Sequence, residues 1–274
     1  MGFQAGLVAA ASALLVVFTP GSSSAAPTGH GHGHGNGKPV AGARTLGDPL
    51  LPQVGNGGYD VDHYRIYLDY DPATNTFKSA STTVSATADQ RLKEFSLDFQ
   101  DLHVSSVKVN GRAARFQQVD ATPVLSSNSQ VTQPMKLVVT PHPSSRPKAG
   151  RHFTVEVRYS GTPEPITDAD ESIEGWVRAC YPLTPPQTCD GSFVVNEPIG
   201  AQSWFPSNNY PSDKATFETF IRVPAGKTAL GTGENVGKKD NGDGTVTGTG
   251  ARTTRPPPTS RPPPWATSTT TLVR

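Results

Sequence analysis

The residues with most scope for chemistry lie in one stretch, Asn196–Phe217, which reads Asn-Glu-Pro-Ile-Gly-Ala-Gln-Ser-Trp-Phe-Pro-Ser-Asn-Asn-Tyr-Pro-Ser-Asp-Lys-Ala-Thr-Phe. It sets the carboxylate of Glu197 among Trp204, Phe205 and Tyr210, with Pro198, Pro206 and Pro211 interspersed. Prolines at that density exclude a helix, because each ring removes a donor and collides with the preceding turn. The aromatic content demands burial, so packing must order the stretch. A long rigid loop that presents a carboxylate is a candidate binding site. The residues alone leave two alternatives open, in which Glu197 pins the loop or pairs with Arg178 or Lys214.

Other candidate ligating groups carry less. Cys180 and Cys189 are the only cysteines and enclose Tyr181–Thr188. In an oxidising compartment so close a pair closes a disulfide, stabilising by about 2–3 kcal/mol through loop entropy. The alternative, a two-thiolate metal site, has no histidine nearby in sequence. His30, His32 and His34 alternate with glycine and could chelate a transition metal weakly, but without a second ligand class they read as metal-free. Asp168, Asp170, Glu171 and Glu174 read as a solvated acidic loop rather than a calcium site. Asp240-Asn-Gly-Asp-Gly244 lacks the distal bidentate glutamate of a calcium loop and reads as a tight hairpin turn.

The elements that must position Glu197 are strands. The chain has 274 residues, 34% of them hydrophobic, with 27 glycines and 26 prolines, a composition of many turns and unstructured ends around one large all-β domain or two small ones. A formal net charge of +1 gives no bias toward nucleic acid or an acidic membrane surface. The apolar run Leu7–Phe18 is too short to span a bilayer core of about 30 Å. Followed by Ser22–Ala26, it reads as a signal peptide over residues 1–25, although no Lys or Arg precedes it. The expected product is secreted, monomeric and free of membrane after cleavage. Residues 26–52 form a Gly/His/Pro-rich leader with no apolar periodicity, 53–246 the β domain, and 247–274 a Pro/Thr/Arg-rich tail.

Within the β domain, Tyr59–Tyr70 alternates with Val61, Leu68 and either Ile66 or Tyr67 on the sheet face, and Asp71–Asn75 supplies a turn. Phe77–Ala88, rich in Ser, Thr and Val, suits a strand with one solvated face. Leu92–Phe99 and Leu102–Val109 alternate, the latter with one register shift. Asn110-Gly111 is a hairpin signal whose return strand is Ala113–Val119. Met135–Thr140, His152–Tyr159, Lys214–Val223 and a short Lys227–Gly231 complete the predicted strands. Short strands at this spacing, with no amphipathic helix among them, predict a sandwich-like all-β fold.

Three blocks of this sequence resemble the N-terminal domain of the aminopeptidase N family of zinc metallopeptidases, especially secreted actinobacterial members. Tyr59–Pro72 is similar to the family's opening strand. Leu97–Gly111 (Leu-Asp-Phe-Gln-Asp-Leu-His-Val-Ser-Ser-Val-Lys-Val-Asn-Gly) is similar to its following strand pair, and Asn196–Phe217 to the approach to its Lys-Ala-Thr-Phe strand. The resemblance implies a saddle-shaped β domain that packs on a thermolysin-like catalytic domain and closes one side of its cleft. It also implies that Glu197 helps recognise the free α-amino group of a peptide, since an acidic or glutamine side chain of that loop does so in the family.

The chain departs from the family in one respect. A zinc peptidase of this type needs a His-Glu-x-x-His helix, which sets two imidazoles one turn apart around a general base. None of the seven histidines is followed by glutamate, so no catalytic residue, zinc ligand or peptidase activity is expected in this chain. The tail from Gly248 reads as a polyproline linker or as an out-of-frame continuation of the family's sequence beyond a frameshift near Val246. Two other functions remain open. One is a free-standing module that binds peptide or surface polymer on a platform of Trp176, Trp204, Phe205 and Tyr210; the other is a functionless fragment.

Overall fold

The computed structural model describes residues 37–49, 51–120, 135–167, 171–253 and 272–273. Its strands, in chain order, begin with β1 (Val40–Ala41), β2 (Tyr59–Asp71), β3 (Thr76–Ala88), β4 (Leu92–Asp98), β5 (His103–Val109), β6 (Arg112–Ala113) and β7 (Arg115–Asp120). There follow β8 (Met135–Thr140), β9 (His152–Gly161), β10 (Ile166–Thr167), β11 (Ile173–Tyr181) and β12 (Thr188–Val195). The last are β13 (Thr216–Pro224), β14 (Ala229–Leu230), β15 (Glu234–Asp240), β16 (Thr245–Arg252) and β17 (Leu272–Val273). Two short 3-10 turns, Pro143–Ser145 and Gly200–Ser203, are the only helical segments among the described residues. The all-β expectation holds.

Among the described residues three sheets make the fold. An eight-stranded sheet runs β15-β16-β13-β2-β3-β9-β5-β6, a four-stranded one β1-β4-β8-β7, and a five-stranded one β10-β11-β12-β17-β14. In the large sheet β13 lies parallel to β2, which brings the end of the aromatic stretch beside Tyr59–Asp71. The predicted hairpin turns at Asp71–Asn75 and Asp240–Gly244 join β2 to β3 and β15 to β16.

Burial follows the strand period, broken where a bulge changes its parity. In β2, Tyr59 and Val61 face the core, and so do Tyr64, Ile66, Leu68 and Tyr70. The ladder to β3 shifts register between Val61 and His63, and the extra residue moves the buried set from odd to even positions. Ile66, not Tyr67, is therefore the core residue. The register shift expected between Leu102 and Val109 lies between Val104 and Ser106.

Two boundaries differ from the sequence reading. The return strand after Asn110-Gly111 is not continuous. β6 pairs with β5 for two residues, and after Ala114 the chain crosses to the other sheet, where β7 pairs with β8. Strand pairing also does not end near Val246, because β16 runs on to Arg252 against β13, with Gly248 and Gly250 lying so close to the Ala229 and Gly231 backbone that a Cβ would collide there. Residues 1–36, Asp168, Asp170 and most of the tail, with His30, His32 and His34, lie outside the described residues.

Candidate functional site

The base of the β11–β12 hairpin carries the candidate site. β12 ends at Val195, and the chain turns through Asn196–Ile199 into the Gly200–Ser203 turn. Backbone groups that the turn leaves unpaired are taken up by side chains. The Ile199 amide donates to Glu174 Oε2 at 2.8 Å, and Asn209 Nδ2 donates to the Ile199 carbonyl at 3.0 Å. Trp204 Nε1 donates to Asn196 Oδ1 at 2.9 Å, and the Trp176 amide donates to Ser203 Oγ at 3.1 Å.

The turn also lies against β11 so closely that glycine is required there. A Cβ on Gly175, whose φ is +90°, falls 2.1 Å from Ser203 Oγ. Trp204 is fully buried, with its ring 5.8 Å from that of Trp176 and 4.4 Å from that of Phe205. Trp176, Trp204 and Phe205 thus belong to the core, and they form no exposed aromatic platform. Glu174 is likewise 1% exposed, so the expectation that it lies in a solvated acidic loop is wrong. It sits on β11 as the acceptor that fixes Ile199.

The second half of the stretch is anchored by a buried polar network that sequence reasoning missed. Asp98, at the end of β4, and Lys136, on β8, are 0% and 1% exposed. Lys136 Nζ donates to Asp98 Oδ1 at 2.5 Å and to the Gly55 carbonyl at 3.0 Å. Asp98 Oδ2 accepts from the Gly55 amide, Asn56 Nδ2 and the Asn209 amide at 3.1, 2.8 and 2.9 Å. Asn208 Oδ1 accepts from the Asn56 amide, while its Nδ2 donates to Asp213 Oδ2 at 2.5 Å. Asp213 Oδ1 accepts from the Val61 amide at 2.9 Å. Burial, with the Asp60 carboxylate beside it, pushes the Asp213 carboxyl up to about 7. A buried charge survives only with partners of this number. The available signals were the polar residues Asn56, Asn208 and Asn209 in otherwise packed loops.

Glu197 itself is held by the turn but by nothing at its carboxylate. It is half-buried, and among the described residues no hydrogen bond or ion pair involves its side chain. Arg178, one suggested partner, donates instead to the carbonyls of Ala73 and Cys189 at 2.7 and 2.9 Å, and Lys214 makes no pair with Glu197. Burial alone pushes the Glu197 carboxyl above the ordinary glutamate value. A fixed, partly desolvated carboxylate with unused acceptor capacity can take a cationic donor. At the other end of the hairpin, Cys180 and Cys189 form the expected disulfide, with an S–S distance of 2.05 Å.

Residues 60–259 match the Peptidase M1 N-terminal domain, and the chain belongs to that family, the N-terminal domain of zinc metallopeptidases of the aminopeptidase N type. The M1 zinc metallopeptidase from Deinococcus radiodurans is similar in structure, with a TM-score of 0.64 at 26% identity over 84% of this chain and 45% of that one. A mutant of the Deinococcus radiodurans enzyme bound to a Tyr-Ser-Ala substrate gives a TM-score of 0.63 with the same identity and coverage. A two-domain M1 zinc metallopeptidase mutant bound to L-arginine gives the same values. The chain thus spans less than half the length of these solved relatives. No curated protein matches it significantly in sequence.

Among the described residues no group of three or more His, Cys, Asp or Glu side chains is placed to hold a metal ion.

Proposed function

We propose that this chain is the cleft-forming N-terminal domain of a secreted zinc aminopeptidase, in which Glu197 receives the free α-ammonium of a peptide substrate. The observation that carries the reading is the state of Glu197, a half-buried carboxylate on an over-determined turn with no partner among the described residues. An ammonium placed within hydrogen-bond reach supplies the missing donors, and a charge-assisted bond of that kind is shorter and stronger than a neutral one. The raised pKa reports the cost of holding the charge without a cation. Binding an ammonium reverses that shift, so the site prefers a substrate with a free, protonated amino end over an acylated one.

The Tyr-Ser-Ala peptide bound by the Deinococcus radiodurans relative is a substrate of the class this reading requires. Zinc chemistry belongs to the half of the enzyme that this chain does not span, and the domain alone hydrolyses nothing. Secretion is supported by the Cys180–Cys189 bridge, which persists in an oxidising compartment, and by the signal-like run Leu7–Phe18. The partner is a peptide amino end, not nucleic acid or membrane, and the domain acts as a monomer.

The test joins this chain to the zinc-binding half of the Deinococcus radiodurans relative. In the joined polypeptide Glu197→Ala raises KM for amino-acid amides about 10–150-fold, the range expected for losing a hydrogen bond to a charged group of about 1.5–3 kcal/mol. Unchanged KM, or equal turnover of N-acetylated peptides, overturns the assignment.

A further inference from the structure

β17 is a two-residue strand in the interior of a sheet. Leu272–Val273 pairs antiparallel with Phe193 and Ser192 of β12 on one side and with Leu230 and Ala229 of β14 on the other. Among the described residues no other strand joins β12 to β14. Neighbouring strands lie about 4.8 Å apart, so the walls of this slot stand about 9.6 Å from each other, too far to pair directly. Each wall is nevertheless fixed without β17. β12 pairs with β11 from Thr188 to Val195. β14 lies against β16 so closely that a Cβ on Gly248 would fall 2.0 Å from the Ala229 carbonyl oxygen. Lys227 and Asp190, each two residues before the paired positions Ala229 and Ser192, tie the walls together by an ion pair of 2.6 Å. At the other end the slot continues along Val194 and Val195, whose only strand partner among the described residues is β11. A preformed gap edged by backbone without a strand partner is a template for a further strand.

We propose that this slot is a strand-acceptor site for an extended peptide supplied by another molecule, with Leu272–Val273 as its tethered, minimal occupant. The register sets the direction of binding. A segment antiparallel to β12 runs with its amino end toward Val195 and its carboxyl end toward the Lys227–Asp190 pair. The walls set the chemistry. Ser192–Val195 and Ala229–Leu230 carry no charge, and Phe193 and Val195 are 39% and 37% exposed. The ligand that fits is an uncharged segment rich in β-branched residues, held mainly by backbone pairing. Two residues make few such bonds, and their advantage is the covalent tether, worth a local concentration on the order of millimolar. A longer segment that also pairs along Val194 and Val195 displaces them once that advantage is matched or removed. The inference is independent of the role of Glu197.

The probe is the N-acetylated amide of Thr-Thr-Thr-Leu-Val, the sequence of residues 269–273, added to the full 274-residue chain. Leu272→Pro removes a backbone donor from the slot and frees it. The peptide is expected to bind this variant at least about tenfold more tightly than the unaltered chain, and to slow amide exchange across Ser192–Val194. The same peptide with proline in place of its leucine should not bind. Failure of the first peptide to bind the variant, or binding that leaves exchange across Ser192–Val194 unchanged, overturns the proposal. The unaltered chain supplies a second readout, in which millimolar peptide should speed exchange at Leu272 and Val273 while Ser192–Val194 stays protected. Should the variant not fold, unchanged exchange at Leu272 and Val273 overturns the proposal by itself. Protection of Leu272 and Val273 that rises with dimer formation assigns the slot to a second copy of the chain and also overturns it.

Discussion

Removing the Lys136 ammonium tests whether the buried polar network holds the aromatic stretch in place. Lys136→Met keeps much of the stem's volume but deletes the donor that Asp98 Oδ1 and the Gly55 carbonyl share. Asp98 retains its three contacts from Gly55, Asn56 and Asn209, yet its charge stays buried at 0% exposure without a counter-charge. Breaking one partner of a buried pair costs about 3–5 kcal/mol. A domain of ordinary stability has about 5–15 kcal/mol in all, so the variant should be severely weakened. Asp98→Asn alone is damaging too, because it leaves the Lys136 ammonium facing an amide. The double variant removes both charges together and should recover about 2–3 kcal/mol relative to the sum of the single costs. Urea unfolding followed by fluorescence of buried Trp204 measures all four proteins. A Lys136→Met cost below about 1 kcal/mol, the range of an exposed pair, refutes the argument that these charges are a buried, mutually dependent unit.

Other outcomes follow from the same geometry. The Asp213 carboxyl is raised from 3.8 to about 7, so the folded chain holds a proton that the unfolded chain releases. Its contribution to stability is complete below the ordinary carboxylate range and is lost as pH rises to about 7. The melting temperature should therefore fall between about pH 4 and 7 by an amount that Asp60→Asn reduces, and an unaltered slope in that variant contradicts the assignment. Gly175→Ala places a Cβ in a +90° backbone and 2.1 Å from Ser203 Oγ. A loss of about 2 kcal/mol or more in denaturant unfolding is expected, and a neutral result shows that the turn can retreat from β11.

What the sequence disclosed was what depends on local period. β2, β4, β5, β9 and β13 announce themselves by alternation, and the Asn110-Gly111 and Asp240–Gly244 turns by residues suited to tight reversal. Parity within a strand was less legible, because the bulge after Val61 is set by pairing with β3 and not by anything in Tyr59–Asp71 alone. β15 escaped notice because all seven of its residues are exposed and only one, Val236, is strongly apolar. The least legible feature was the Asp98–Lys136 pair. Lys136 stands between Met135 and Leu137 where alternation points it outward, and only the approach of Gly55 and Asn209 from distant parts of the chain makes it interior. For the site, the disulfide was readable, whereas the roles of Glu174 and Ser203 depend on the close passage of one turn over β11.

The most direct measurement is the titration of the Glu197 side-chain carboxyl carbon by NMR in the joined polypeptide, with and without an unreactive amino-acid analogue bearing a free amino group. The free protein should titrate above the ordinary glutamate range, as burial requires, and saturation with the analogue should bring the midpoint down as the ammonium pairs with the carboxylate. A midpoint that the free-amine compound and its N-acetyl counterpart leave equally unmoved means that Glu197 does not meet the substrate's amino end.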